Sequence, residues 1–330
     1  MAPQDAQPAV LITGGAGYVG AHAAKAFAEA GWRPVVFDNL SVGHRAAVQW
    51  GPLVQGDVRD RCALREAMTT HQVSAVVHFA GASEVGRSWR DPADFWAQNL
   101  EGTAGVLDAM RASEVRRLVF SSSAAVYGDG AEVFAETSPT QPLNPYGETK
   151  LAAERMIAAY ARAYGLSALC LRYFNAAGAD PGGRIGESRP AETHLIPLAL
   201  SAALGGSPPL AVFGDDYATP DGTCVRDYVH VDDLAEAHVA AVASPLDTGA
   251  CLPLNLGSGR GVSVREVIGT VARELGRPVP HRVQARRAGD PARLVADARR
   301  ANDVLRWRAR RSDITTIVRH AAAWALRRGY

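Results

Sequence analysis

Asn144-Pro145-Tyr146-Gly147-Glu148-Thr149-Lys150 sets a tyrosine four residues ahead of a lysine, in a chain whose 35 basic residues include only two lysines. Compositional bias accounts for the arginines. A compact ammonium on a flexible stem is nonetheless a different instrument from a planar guanidinium. Residues at i and i+4 share one helix face. A free tyrosine ionises near pH ~10, so a base working near neutrality needs its pKa lowered by about three units, roughly 4 kcal/mol. One adjacent cation supplies about one to three units, and burial of the phenolate opposes it. Lys150 alone is therefore marginal, and a second positive charge beside the ring is needed. Ser121-Ser122-Ser123 precede the pair, and Ser123 would hydrogen-bond the oxygen whose proton moves. By itself a Tyr-x-x-x-Lys spacing reads equally well as two helix-surface residues.

The elements around these residues give the spacing its meaning. Ala9-Val10-Leu11-Ile12-Thr13 is an apolar strand that ends in glycines and leads to an alanine-rich helix over Ala21–Ala30. Gly31 stops that helix, and Pro34–Asp38 is a second buried strand. Strands at Ala75–Phe79 and Leu118–Phe120 flank a helical stretch from about Asp91 to Arg111. A helix over Tyr146–Tyr164 then leads to a strand at Ala168–Tyr173. Continuous apolar strands alternating with helices predict a parallel sheet covered on both faces. The expected fold is α/β: a doubly wound sheet of the Rossmann type over residues 1–174, with a smaller mixed α/β lobe over 175–330. In that lobe Gly- and Pro-rich loops separate helices near Thr193–Leu204, Asp232–Val242, Ser263–Leu275 and Thr315–Arg327. Segments around 225–258 could return to the first domain.

Thr13-Gly14-Gly15-Ala16-Gly17-Tyr18-Val19-Gly20 sits between the first strand and the first helix. Glycines there let the backbone approach a pyrophosphate, and the helix N-terminus offers unpaired N–H groups. Asp38 ends the second strand 21 residues beyond Gly17, where a carboxylate accepts from an adenine-ribose hydroxyl and repels a 2′-phosphate. The pattern thus selects NAD over NADP, although Asp38-Asn39 is also turn chemistry. Asp57-Val58 would flank the adenine, and Phe79-Ala80-Gly81, at the end of the fourth strand, would lie beside the cofactor. Its oxidised nicotinamide is a natural source of the missing positive charge near Tyr146.

The net charge of +1 gives no reason to expect nucleic acid or an anionic membrane as a partner. No apolar stretch approaches membrane-spanning length. Cys62, Cys170, Cys224 and Cys251 are scattered without Cys-x-x-Cys spacing, so neither a metal site nor a disulfide framework is expected. Reduced, mostly buried thiols fit a cytoplasmic enzyme.

These strings together resemble the extended short-chain dehydrogenase/reductase family, nearly from end to end. Residues 13–20, Phe37–Leu40, His78–Gly81, Ser121–Gly128 and Pro145–Lys150 mark the superfamily. Asn255–Gly257 belongs to the same resemblance, and Leu171–Asn175, Gly222–Asp232 and Arg286–Asp290 point to its nucleotide-sugar epimerase branch. The resemblance implies an isomerase of UDP-hexoses with tightly bound NAD. Tyr146 would take the proton of the sugar 4-OH while C4 passes a hydride to NAD⁺, and hydride would return to the other face of a 4-keto sugar. It implies cofactor contacts from Gln98, Ser121, Tyr173, Tyr146 and Lys150 besides those above. On the substrate side it implies Ser123, Tyr146, Asn175, His194, Leu195 and the stretch Ala211-Val212-Phe213. Arg226 and Arg287 would hold the diphosphate, and Asp290 the uridine ribose. Homodimers built from helices of the first domain are the family habit, which makes 91–111 and the Tyr146 helix the candidate interface.

Three departures carry information. Ala124 and Ala125 stand where 4,6-dehydratases of this scaffold carry an acidic pair, so water elimination has no acid or base. Ser83 replaces a lysine, and Gln98 an asparagine, near the nicotinamide side. Leu294 stands where enzymes restricted to UDP-glucose and UDP-galactose have tyrosine, leaving room for a 2-acetamido group. Two alternatives stay open: an epimerase or reductase of UDP-uronic acids or UDP-pentoses, and a non-catalytic NAD-binding regulator. An intact Ser123, Tyr146 and Lys150 speak against the second.

Overall fold

The computed structural model describes residues 7–287, 289–327 and 330. Its first half alternates strand and helix: β1 (Ala9–Thr13), α1 (Tyr18–Glu29), β2 (Arg33–Asp38), β3 (Leu53–Gln55), α2 (Arg61–Thr70) and β4 (Val73–His78). Short helices α3 (Val85–Arg90) and α4 (Pro92–Phe95) follow, then a π-helical turn over Trp96–Glu101 and α5 (Gly102–Ala112). β5 (Arg117–Ser123), α6 (Pro145–Tyr164) and β6 (Ser167–Tyr173) complete this half. The second half contains β7 (Asn175–Ala177), α7 (Leu195–Leu204), β8 (Leu210–Phe213), β9 (Val225–His230), α8 (Val231–Ala243) and β10 (Cys251–Leu256). It ends with β11 (Gly261–Ser263), α9 (Val264–Leu275), β12 (His281–Gln284), β13 (Arg293–Leu294), α10 (Arg299–Leu305) and α11 (Ile314–Arg327).

Seven strands form one parallel sheet in the order β10-β6-β5-β4-β1-β2-β3. Helices cover both faces, because alternate residues of each strand are apolar in both directions. Val10 and Ile12 pack with Phe27 of α1 and with Leu234 and Ala237 of α8. Leu11 packs on the other side with Leu107 and Met110 of α5 and Ile157 of α6. The fold is thus doubly wound α/β. Strand order reverses between β1 and β4, which opens a crevice at their carboxyl ends, where such sheets bind ligands.

Two elements of the second half belong to this sheet: β10 pairs with β6, and α8 lies against α1. β9, within the same 225–258 stretch, instead centres a smaller mixed sheet with β7, β11 and β13. β8 and β12 form a separate pair, and α7, α9 and α11 share a further core around Leu200, Val271 and Val318.

The structure corrects some element bounds. The helical stretch expected over 91–111 is present as a continuous run from Pro92 to Ala112, but it contains a π turn between α4 and α5. The wide turn aims Asn99 inward, as discussed below; such insertions commonly mark functional sites. The helix α2 has no counterpart in the sequence expectation. It is short, with only three buried side chains and Asp60 capping its N-terminus. All four cysteines are unpaired, but only Cys170 is buried and Cys62, on α2, is exposed. The expectation of mostly buried thiols therefore fails. None of the described helices is long and apolar enough to cross a membrane.

Candidate active site

The β1–α1 turn is built for close approach. Gly14 adopts φ +73, and a Cβ on it would meet the Ala80 nitrogen at 2.6 Å. A Cβ on Gly20 would meet the Gly14 carbonyl oxygen at 2.2 Å. Gly17 begins α1 without a side-chain cap, and the first turn has no acidic residue. The N–H groups at this helix end are therefore open to an anion. Asp38 braces the turn, accepting from the Ala16 N–H at 3.0 Å and the Leu40 N–H at 2.8 Å. Tyr18 reaches across to the second half, donating its hydroxyl to the Gly178 carbonyl at 2.6 Å. This cradle fits a dinucleotide pyrophosphate.

A single cavity of about 1380 Å³ runs from that turn into the second half. Every residue named from sequence for cofactor or substrate lines it. Gly14, Gly17, Tyr18, Val19 and Gly20 form its floor beside Asp38, Asn39, Asp57 and Val58. Phe79, Ala80 and Gly81, with Gln98, Ser121 and Tyr173, lie at its middle. Asn175, His194 and Leu195 continue it, and Ala211, Val212, Phe213, Arg226, Arg287, Asp290 and Leu294 close the far end. Some of these are already engaged. Asp57 is held far below the usual carboxylate range by Arg59, with Asn39 also donating to it. Gln98 donates to Asp94 at 2.7 Å. Arg287 lies over the Phe213 ring and donates to Asp290 at 2.8 Å, while Arg226 approaches the same carboxylate at 3.8 Å.

Ser123, Tyr146 and Lys150 meet between the two ends. α6 carries the latter pair, and its start is well specified: Asn144 accepts from the Gly147 N–H at 2.9 Å and Pro145 occupies the first turn. Lys150 is buried, donates to the Ser121 carbonyl at 2.9 Å, and has its nitrogen 4.9 Å from the Phe120 ring centroid and 6.0 Å from that of Tyr146. Burial dominates both groups. It pushes the Tyr146 phenol up, against the pull of the Ser123 hydroxyl and of Arg189. It pushes Lys150 down to about 8. Lys150 is thus marginal as the lone neighbouring cation, as the sequence implies, because desolvation of the phenol outweighs the protein groups that favour its charged form.

Sequence reading missed two contributors. Arg189 reaches the site from a Gly- and Pro-rich loop that carried no local signal, and is itself held by Glu187 at 3.0 Å. Asn99, carried by the π turn, accepts from the Ala82 N–H and donates to the Ala82 carbonyl and to Thr149 of α6. It ties the end of β4 to the helix bearing Tyr146. The neighbouring asparagine-like position Gln98 had drawn the attention instead.

A glycine cradle at the switch point of a doubly wound sheet, opening onto Ser, Tyr and Lys, defines a dinucleotide-dependent enzyme of the short-chain dehydrogenase type. Comparison with known proteins narrows this. Residues 10–257 match the model of the NAD-dependent epimerase/dehydratase family, and the chain belongs to that family. It is 46% identical over 317 residues to the UDP-glucose 4-epimerase of Halalkalibacterium halodurans, covering 96% of this chain and 95% of that protein. The structure of Brucella ovis UDP-glucose 4-epimerase in complex with NAD is similar at 50% identity and TM-score 0.91, covering 96% of this chain and 97% of that one. The UDP-Glc/GlcNAc 4-epimerase of Campylobacter jejuni matches at 34% identity and TM-score 0.83, over 97% and 99% of the two chains.

Proposed function

We propose that this protein interconverts UDP-glucose and UDP-galactose by epimerisation at C4, using NAD held in the glycine cradle. The observation that carries the reading is the convergence of Ser123, Tyr146 and Lys150 midway along a cavity with a pyrophosphate cradle at one end and two arginines at the other. NAD would supply a hydride acceptor, then donor, at sugar C4. Tyr146 takes the proton from the 4-OH and later returns it. Ser123 hydrogen-bonds the same oxygen, so the proton moves along a fixed line. Lys150 places its charge beside the phenolate. Arg226 and Arg287 hold the diphosphate with their planar forks, exchanging part of their hold on Asp290. Tyr18, Asp38, Asn39 and the end of β4 hold the dinucleotide. Ala124 and Ala125, carrying only methyl groups, leave no route to dehydration.

Purified protein given UDP-galactose without added NAD is expected to yield UDP-glucose with no build-up of NADH. Tyr146→Phe is expected to lower kcat by at least about a hundredfold while NAD stays bound. Turnover only with added NAD would indicate a dehydrogenase, and wild-type kcat in the phenylalanine variant would remove Tyr146 from the chemistry.

A wider substrate range follows from Leu294. It packs against the cluster that holds Ala124, Val126 and Phe174, and it lines the cavity. A branched aliphatic chain here leaves space that a phenol ring would fill, so UDP-N-acetylglucosamine is expected to turn over as well. Leu294→Tyr should abolish that activity while sparing UDP-galactose; no detectable turnover of the N-acetyl sugar by the wild type would end the proposal.

The assembly we propose is a homodimer through α4–α5 and α6, where Trp96 and Tyr164 remain 39% and 41% exposed. Light scattering at micromolar concentration should read the mass of two chains, and a single-chain mass would contradict it. Four unpaired cysteines suit a reducing cytoplasm.

A further inference from the structure

We infer that Glu154 is a positioning residue for the proton chemistry: pinned by Arg172 and Ser122, its carboxylate keeps Lys150 charged and thereby sets the alkaline edge of activity. Glu154 follows Lys150 by four residues and shares its face of α6. That face lies over the register pair Ser122↔Arg172 of β5 and β6. Arg172 donates to Glu154 through Nε at 2.9 Å and Nη2 at 2.6 Å, and the Ser122 hydroxyl donates to Oε1. Both members of the ion pair are buried. Arg172 Nη1 donates to the Tyr127 hydroxyl at 3.0 Å, which in turn donates to Asn255 at 2.7 Å. Glu154 therefore cannot turn away without breaking charge-assisted bonds.

The groups around Lys150 make this carboxylate matter. From β5 it meets the Ser121 carbonyl and the Phe120 ring, and from the loop after β4 it lies near Gly81. His78 of β4 is within its field but neutral, held down to about 3 by burial first and by Lys150 second, and bonded to Thr13 and Thr103. On its own helix Tyr146 lies one turn before and Glu154 one turn after. Asn99 beside Gly81 and Tyr173 beside Ser121 bring only neutral groups. Burial drives Lys150 toward the neutral amine, and the group opposing it is Glu154. A purely structural ion pair would stitch α6 to β6 equally well, but it would leave the titration of Lys150 untouched.

The composition makes the test clean. Biosynthetic [¹³C,¹⁵N]lysine labelling of the NAD-loaded protein gives signals from only Lys25 and Lys150. Lys25, paired with Asp180 and Asp232, serves as the internal reference. In Glu154→Gln, which keeps the shape and the Ser122 hydrogen bond, the Lys150 midpoint is expected to fall by about one pH unit. Glu154→Asp, which keeps the charge but withdraws it by a methylene, should lie between the two and carries the test if the glutamine variant does not fold. An unchanged Lys150 midpoint in a folded variant overturns the inference. The activity arm rests on the reading of Tyr146 as the base: the alkaline limb of kcat against pH should move down by the interval that Lys150 moves. A shifted lysine with an unshifted limb would leave the coupling standing and sink the role assigned to Lys150 in turnover.

Discussion

Desolvation is the constraint to which the site answers. A buried phenol resists ionising and a buried ammonium resists keeping its proton, yet the chemistry proposed here wants phenolate and ammonium side by side. Tyr146 is pushed up and Lys150 down to about 8, so burial keeps the phenol protonated and weakens the ammonium without removing its charge at neutral pH. The compensations are spread over several elements. Ser123 hydrogen-bonds the phenol, Arg189 adds a cation from the second half, and the Ser121 carbonyl accepts from the ammonium. What is still missing is a positive charge in contact with the ring, which the oxidised nicotinamide of a bound NAD would supply. A site built this way holds its base in reserve until the cofactor is in the state that needs it.

The fold places these groups through few decisions. Reversal of strand order between β1 and β4 opens the crevice, and the glycine turn after β1 lets the backbone close on a diphosphate. α6 then carries Tyr146, Lys150 and Glu154 on successive turns of one face. Asn99 locks the end of β4 to α6 through Ala82 and Thr149. The second half does not merely cap the first. Its β10 extends the main sheet, α8 packs on α1, and Lys25 of α1 forms a buried bridge to Asp180 and Asp232. Cofactor helix and substrate side are thus tied by the same contacts that make the core.

Much of this was legible in the residues. The strand–glycine–helix–strand run and Asp38 gave the cradle, because each step there is a local property of short segments. α6 was expected over Tyr146–Tyr164, and the Tyr146–Lys150 face followed from helical spacing alone. Arg189 was not readable, since nothing in a Gly- and Pro-rich loop says where a long side chain will point. Nor was the π turn, because one extra residue in a helical repeat leaves the apolar pattern almost intact while redirecting Asn99. That burial opposes ionisation of Tyr146 was legible, but its weight was not: it depends on how dry the site is, and spacing carries no measure of that.

The central claim is that the cofactor's charge, added to that of Lys150, makes Tyr146 a base. The direct measurement is a tyrosinate-absorbance titration of the wild type minus Tyr146→Phe, recorded with the dinucleotide oxidised and again with it reduced. The account predicts a clearly lower midpoint for Tyr146 in the NAD⁺ form than in the NADH form. Equal midpoints in the two forms would contradict it.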